Sequence, residues 1–203
     1  MELLLVHLTD IHIRDDEDLD VLSVRTDSIG GAICNHITNP DETEVVFCVT
    51  GDLAFSGKDD QYAAAGLILD EIYSLINKRY PKVGIHSVFV PGNHDCNFDA
   101  PEEEVREPLL ISPALDISKP SVLKACTAIQ KNFYAFGEEW DKKHGAMFCD
   151  DDKILTVNEL NFDSYGVHLK FHCINTSWCS KKQEENNYWK NVNGDRFFGE
   201  KTR

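Results

Sequence analysis

The sequence predicts an α/β fold built on a parallel sheet. Three apolar runs, at residues 3–8, 45–49 and 88–90, have the composition and length of buried strands. Segments of helical length, at 21–37 and 59–80, separate these runs, and a strand, helix, strand order is typical of parallel βαβ units. Because the carboxyl ends of parallel strands meet at one edge of a sheet, we expect the residues that follow the three runs to lie close together.

The second half of the chain predicts further helices and strands. One apolar stripe predicts a helix over 121–144, and alternating residues predict strands at 154–157 and 166–175. We expect these strands to form the second sheet of a sandwich flanked by helices. The proline-rich stretch 97–120 predicts a loop, either a wall of the substrate pocket or a surface connection. The acidic run 15–20 lacks the Gly and Glu of a calcium-binding EF-hand and predicts a solvated loop.

Polar residues suited to metal binding follow each of the three apolar runs. They are Asp10 and His12 after the first, Asp52 after the second, and Asn93, His94 and Asp95 after the third. Carboxylate, imidazole and amide donors together suit Mn, Fe or Zn rather than metals that prefer thiolates. The three motifs therefore predict a metal site at the sheet edge.

The spacing of the residues suggests how ions would be held. Asp10 and His12 are two residues apart, so on an extended strand both side chains face one ion. The carboxylate of Asp52 can bridge two ions. Paired ions about 3.5 to 4 Å apart can activate water and stabilise the attacking and leaving oxygens of a displacement at phosphorus. Gly51 and Gly92 suit the tight turns that such an arrangement needs.

In their order, these motifs resemble the calcineurin-like metallophosphoesterase superfamily, whose pattern is Asp-x-His, then Gly-Asp, then Gly-Asn-His-Asp or Glu. The resemblance covers the N-terminal portion of that domain. It is nearest to the branch of class III cyclic-nucleotide phosphodiesterases, where a later strand is similar to residues 173–178. The resemblance implies a β-sandwich flanked by helices in four layers (α/β/β/α). It also implies two divalent metal ions and a metal-bound hydroxide that hydrolyses a phosphodiester or phosphomonoester.

The resemblance also implies a role for each site residue. Asp10 and His12 would hold the first metal ion, Asp52 would bridge both ions, and Asn93 would hold the second. His94 would assist the leaving group in catalysis. Asp95 would orient His94.

The family pattern continues with a further His and a late Gly-His-x-His motif, which residues 1–203 do not contain. We therefore expect the sandwich to be incomplete at its C-terminus and the late ligands, with possible further domains, to lie beyond Arg203. His168 and His172 are four residues apart on one face of a predicted strand. Two interpretations of this pair stay open: substitute metal ligands, or residues of a solvated face.

Composition fits one globular domain over residues 1–203, with 42% hydrophobic and 10% aromatic residues. The 20 basic against 35 acidic residues give a net charge of -15, which disfavours long nucleic acid and leaves a small phosphate ester as the expected substrate. Seven scattered cysteines without a Cys-x-x-Cys pair indicate reduced thiols and a cytoplasmic location. Neither a secretory signal nor a membrane-spanning run is visible.

Three functions are open at this point. The first is a metal-dependent phosphoesterase, with phosphodiesters as the favoured substrates and manganese among the expected metals. The second is an inactive module of the same fold that binds a partner, which the missing late histidines favour. The third is a nuclease of the same superfamily, which the acidic charge disfavours.

Overall fold

A computed structural model describes residues 1–14, 16–145 and 153–182. Its central element is a parallel sheet with strand order β1-β2-β3. The strands are β1 (Glu2–Leu8), β2 (Thr43–Thr50) and β3 (Gly84–Val90). Val45, Val46 and Phe47 of the central strand are fully buried, as expected for a parallel strand covered on both faces. The predicted α/β class with a parallel sheet is confirmed.

Helices cover one face of this sheet and contribute most of the core. The helices are α1 (Asp16–His36), α2 (Asp59–Arg79), α3 (Glu103–Leu110), α4 (Pro120–Thr127) and α5 (Lys131–His144). The largest buried cluster joins β2 to α1, α2 and α5, for example through Phe47, Ile33, Tyr73 and Trp140. Burial of these apolar side chains fixes the sheet against its helices.

An antiparallel hairpin covers the other face of the parallel sheet. It consists of β4 (Leu155–Phe162) and β5 (Val167–Ile174). Leu160 and Phe162 pack against Val46 of the parallel sheet. The alternate side chains of both hairpin strands point outward and are exposed, so three of the four expected layers are present within residues 1–14, 16–145 and 153–182.

Three predicted boundaries are wrong. The expected loop 97–120 contains α3, which is held by the buried side chain of Arg106. The expected helix 121–144 is divided into α4 and α5 by a 3-10 turn at Ala128–Gln130. The acidic run is helical from Asp16 onward, because acidic side chains are favourable in the first turn of a helix. Asp15 lies outside the described residues.

Two further observations bear on the environment of the protein. Six cysteines are free thiols, and Cys149 lies outside the described residues. In the part of the chain that the structure describes, none of the helices has the length and apolar character needed to cross a membrane.

Candidate metal centre

The carboxyl edge of the parallel sheet brings the three motifs together. β1 and β2 pair so that Leu8 lies beside Val49, and β2 and β3 pair so that Thr50 lies beside Val90. The three strands therefore end at nearly the same level. The loops that follow them carry all six predicted site residues.

Backbone strain is concentrated at three of these residues. Asp10, His12 and Asp52 have φ angles of 55°, 55° and 53°, and no other non-glycine residue among those described is left-handed. This conformation costs about 1–2 kcal/mol for an ordinary residue. Bonds between the loops hold it, including His12 N to Asp52 O at 2.9 Å. Strain confined to the predicted ligands is typical of a functional site.

The left-handed turn corrects the prediction that Asp10 and His12 share one face of a strand. β1 ends at Leu8, and both residues lie in the loop beyond it. The turn nevertheless brings the imidazole of His12 between two carboxylates. Its Nε2 atom lies 3.7 Å from Asp10 Oδ1 and 3.8 Å from Asp52 Oδ2.

These separations fit a shared ion better than direct hydrogen bonds. They exceed the usual N–H···O range, whereas two ligands about 2.1 Å from one tetrahedral ion lie roughly 3.4 Å apart. Donor atoms of His12, Asp52 and His94 all lie within 4.8 Å of one another. His12 Nδ1 is buried with no hydrogen-bond partner among the described residues, so Nε2 is the ring nitrogen that faces the two carboxylates.

Asp52 is held in one orientation by the loop after β3. Its Oδ1 atom accepts the backbone N–H of His94 at 2.9 Å, and its Oδ2 atom faces His12. A Cβ atom at Gly92 would collide with Asp52 Oδ1 and would lie 2.5 Å from the Asp52 backbone nitrogen. A Cβ atom at Gly51 would lie 3.0 Å from the Cα atom of Gly92. Glycine at both positions therefore allows the two loops to touch.

His94 is anchored through one ring nitrogen. Its Nδ1 atom lies 2.8 Å from the carbonyl oxygen of Phe55. Because a carbonyl oxygen can only accept, Nδ1 carries the hydrogen, and Nε2 is the nitrogen available to a ligand. The ring packs edge-on against His12 with their centroids 4.4 Å apart.

The hydrogen bonds of Asp95 join the two loops that carry Asp52 and His94 to α2. It is fully buried and accepts hydrogen bonds from Gly92 N at 2.8 Å, Ala54 N at 3.1 Å and Tyr62 Oη at 2.9 Å. The ring of His94 is held by the carbonyl oxygen of Phe55, and none of the Asp95 hydrogen bonds given above goes to the imidazole. Burial raises the pKa of the Asp95 carboxyl, and the three hydrogen bonds oppose that rise.

A cavity of about 570 Å³ opens at these loops. Asp10, Asp52 and Asn93 line it, and β5 contributes His172 to its wall. His168, by contrast, bonds to Asn161 Oδ1 at 2.7 Å on the exposed face of the hairpin. Of the two histidines left open by the sequence, only His172 borders the cavity.

A buried polar network, which the sequence analysis did not identify, supports the loop after β3. Gln130 donates to Ser177 Oγ at 2.7 Å, and Ser177 Oγ lies 3.1 Å from Pro91 O. Asn175 donates to Gln130 Oε1 at 2.8 Å. All three network residues are at most 5% exposed. The polar residues that directly follow the alternating strand β5 were the available signal.

The fold and the clustered carboxylates and imidazoles define an α/β protein with a candidate metal centre at a sheet edge. A family model described as calcineurin-like phosphoesterase matches residues 3–198, and the chain belongs to this family. A comparison with curated proteins finds no match. Family membership and the His12, Asp52 and His94 group support a metal-dependent phosphoesterase.

Proposed function

We propose that the protein hydrolyses small phosphodiesters at a binuclear metal centre. The observation that carries this proposal is the convergence of Asp10, His12 and Asp52, each in a left-handed conformation, around a gap suited to an ion. Structural turns have no need for three strained, polar side chains facing one another. A ligand-binding site explains all three.

Four residues of the chain hold the ions in this proposal. Asp10 and His12 would hold the first ion, Asn93 would hold the second, and Asp52 would serve both. Mn, Fe and Zn all suit these donors. When bound, the ions supply Lewis acidity at the phosphoryl group and activate water.

His94 acts on the leaving group. Its Nδ1–H is held by the carbonyl of Phe55, so in the imidazolium form the Nε2–H group hydrogen-bonds or protonates the departing oxygen. Asp95 keeps the loops of His94 and Asp52 in register through its bonds to Gly92 and Ala54. The positions of both histidine nitrogens are therefore set before the substrate binds.

The substrate is a small ester. A cavity of about 570 Å³ accommodates a small molecule, and the net charge of -15 repels a long polyanion. The six free thiols support a reducing compartment such as the cytoplasm.

Hydrolysis of bis(p-nitrophenyl) phosphate with and without Mn²⁺ tests the function. We expect metal-dependent turnover that His94→Ala lowers by about 100-fold or more, with metal content unchanged. Asp52→Asn should lose both turnover and metal. His168→Ala is the matched control, because this imidazole lies outside the cavity, and it should keep both.

Other outcomes would favour the alternatives. Loss of metal from His94→Ala would make His94 a ligand and overturn its role at the leaving group. Metal binding without hydrolysis of any phosphate ester would favour a partner-binding module. Preferential cleavage of DNA at low salt would favour a nuclease.

A further inference from the structure

A second cavity, of about 290 Å³, adjoins the first and shares Asn93 with it. The residues that line this second cavity include Phe55, Asn93, His94, Phe98, Lys181 and Lys182. We call this cavity the aromatic recess. The first cavity presents the carboxylates of Asp10 and Asp52, whereas the aromatic recess presents rings, two ammonium groups and the single carboxylate of Asp99. The two meet at Asn93, and His94 forms part of the wall on the recess side.

The rings of the aromatic recess are held in place before a ligand arrives. Phe55 is 36% exposed, and its ring lies 4.2 Å from Arg14 Cζ and 5.3 Å from the ring of His94. Phe98 is partly buried, with its ring 5.9 Å from Arg106 Cζ. Ordered, partly exposed rings lose little freedom when a planar ligand stacks on them. The recess therefore favours a planar aromatic group.

The charge of the recess differs from that of the protein. Lys182 is neutralised by Asp99, with Nζ and Oδ1 2.6 Å apart. Lys181 is exposed and forms no ion pair with any residue that the structure describes. In a chain with a net charge of -15, this ammonium group is a cation beside the site without an ion-pair partner in residues 1–14, 16–145 and 153–182. It favours an anionic substituent on the ligand.

We propose that the aromatic recess binds the leaving alcohol of the substrate, and that it selects a planar aromatic alcohol that carries a negative charge. This inference rests on the proposed phosphodiester hydrolysis, since His94 lies at the boundary where the ester bond would break. Pockets for drug-sized ligands begin at about 300 Å³, so the recess suits one ring system with its substituent. The phosphoryl group would then lie beside Asn93, in the cavity that holds Asp10 and Asp52.

The binding of three probes to the full chain, measured by NMR titration, tests the recess without any turnover. The probes are 4-hydroxybenzoate, the uncharged 4-hydroxybenzamide, and 4-hydroxycyclohexanecarboxylate, which has the charge but no aromatic ring. We expect 4-hydroxybenzoate to bind about 3- to 10-fold more tightly than either of the others. Phe98→Leu should remove the preference for the ring, and Lys181→Met should remove the preference for the charge.

Matched controls are Tyr165→Leu and Lys78→Met, which change an exposed ring and an exposed ammonium group outside the recess. Both should keep the two preferences. Equal binding of all three probes, or preferences that persist in Phe98→Leu and Lys181→Met, would overturn the proposal. Phe98 packs against Cys96, Ala100 and Ile129, so Phe98→Leu can fail to fold. In that case Lys181→Met, at an exposed position, tests the proposal by itself.

The experiments distinguish failure of the recess proposal from failure of the proposed hydrolysis. Cleavage of bis(p-nitrophenyl) phosphate without discrimination among the probes would leave the function standing and remove the recess. Discrimination among the probes without cleavage of any ester would support the recess as a ligand site and remove the hydrolytic function.

Discussion

The two sides of the loop at residues 91–95 differ in how their polar groups are satisfied. On the cavity side, His12 Nε2 lies 3.7–3.8 Å from two carboxylates, beyond the usual hydrogen-bond distance. In the buried network that reaches Pro91 of the same loop, Gln130, Asn175 and Ser177 bond to one another and to the backbone, and Ser177 also borders the cavity. A metal site needs ligand atoms that no other hydrogen bond already occupies. A satisfied network behind the loop holds those atoms in place.

The supporting side extends to a buried guanidinium. Arg106 is fully buried, pairs with Glu103 at 2.8 Å, and donates to the carbonyl oxygens of Cys126 and Trp178 at 2.8 Å each. It also donates to Ser180 O. Arg106 thereby ties α3 to the segment 177–180, which forms part of the cavity wall.

Replacement of Arg106 should give the largest effect. Arg106→Met leaves Glu103 and three carbonyl oxygens, of which that of Cys126 is buried, without their donor, and we expect a loss of about 3–5 kcal/mol of unfolding free energy. Urea denaturation measures this loss. Lys131→Met, which breaks an exposed ion pair with Glu102 at 2.7 Å, should cost less than about 1 kcal/mol. Equal losses in the two variants would contradict the supporting role of Arg106.

The hydrogen bond from Tyr62 to Asp95 gives a smaller, pH-dependent effect. Burial raises the folded pKa of Asp95 above 3.8. The protonated Asp95 carboxyl therefore stabilises the fold most below pH 3.8, and this stabilisation is lost as the pH rises through the folded pKa. Tyr62→Phe removes a donor that opposes this rise. We expect a cost of about 1.5–3 kcal/mol at pH values above the folded pKa, where the carboxylate is charged, and about 1 kcal/mol below it.

Tyr73→Phe is the matched control for Tyr62→Phe. The Tyr73 hydroxyl bonds to Ser87, which does not titrate, and burial raises the pKa of Tyr73 to about 12. Its cost should therefore stay constant between pH 4 and 8. Urea denaturation across this range compares the two variants, and a constant cost for Tyr62→Phe would show that its hydroxyl does not stabilise the charged carboxylate.

The strained side should give the smallest effect, with the opposite sign. Asp10→Gly relieves the left-handed conformation at φ 55°, so we expect the metal-free protein to gain up to about 1 kcal/mol. The same substitution in the first turn of α2, Asp59→Gly, should cost about 1 kcal/mol. Denaturation in EDTA measures both. A loss of stability in Asp10→Gly would show that the cavity side is not strained. If Mn²⁺ raised the Tm of Asp10→Gly as much as that of the unchanged protein, Asp10 would not be a metal ligand.

Local patterns in the sequence were sufficient for much of the fold and the site. The apolar runs predicted β1, β2 and β3, because a buried parallel strand needs continuous apolar residues. The polar residues that follow them predicted which side chains converge, because parallel strands end at one edge. The conformation of Asp10 and His12 was not predicted, since the left-handed turn is held by bonds to Gly51 and Asp52, about forty residues away in the chain.

The tertiary structure alone decided what supports and surrounds the site. The bonds of Asp95 to Tyr62, of Gln130 to Ser177, and of Arg106 to Trp178 join residues that are 33, 47 and 72 positions apart. The aromatic recess likewise combines Phe55, Phe98 and Lys181 from three separate segments. Sequence by itself determined the strands and the order of the ligands, because strand periodicity and turn chemistry depend on neighbouring residues. The partners of buried polar groups depend on how distant segments pack, and only the folded chain brings them together.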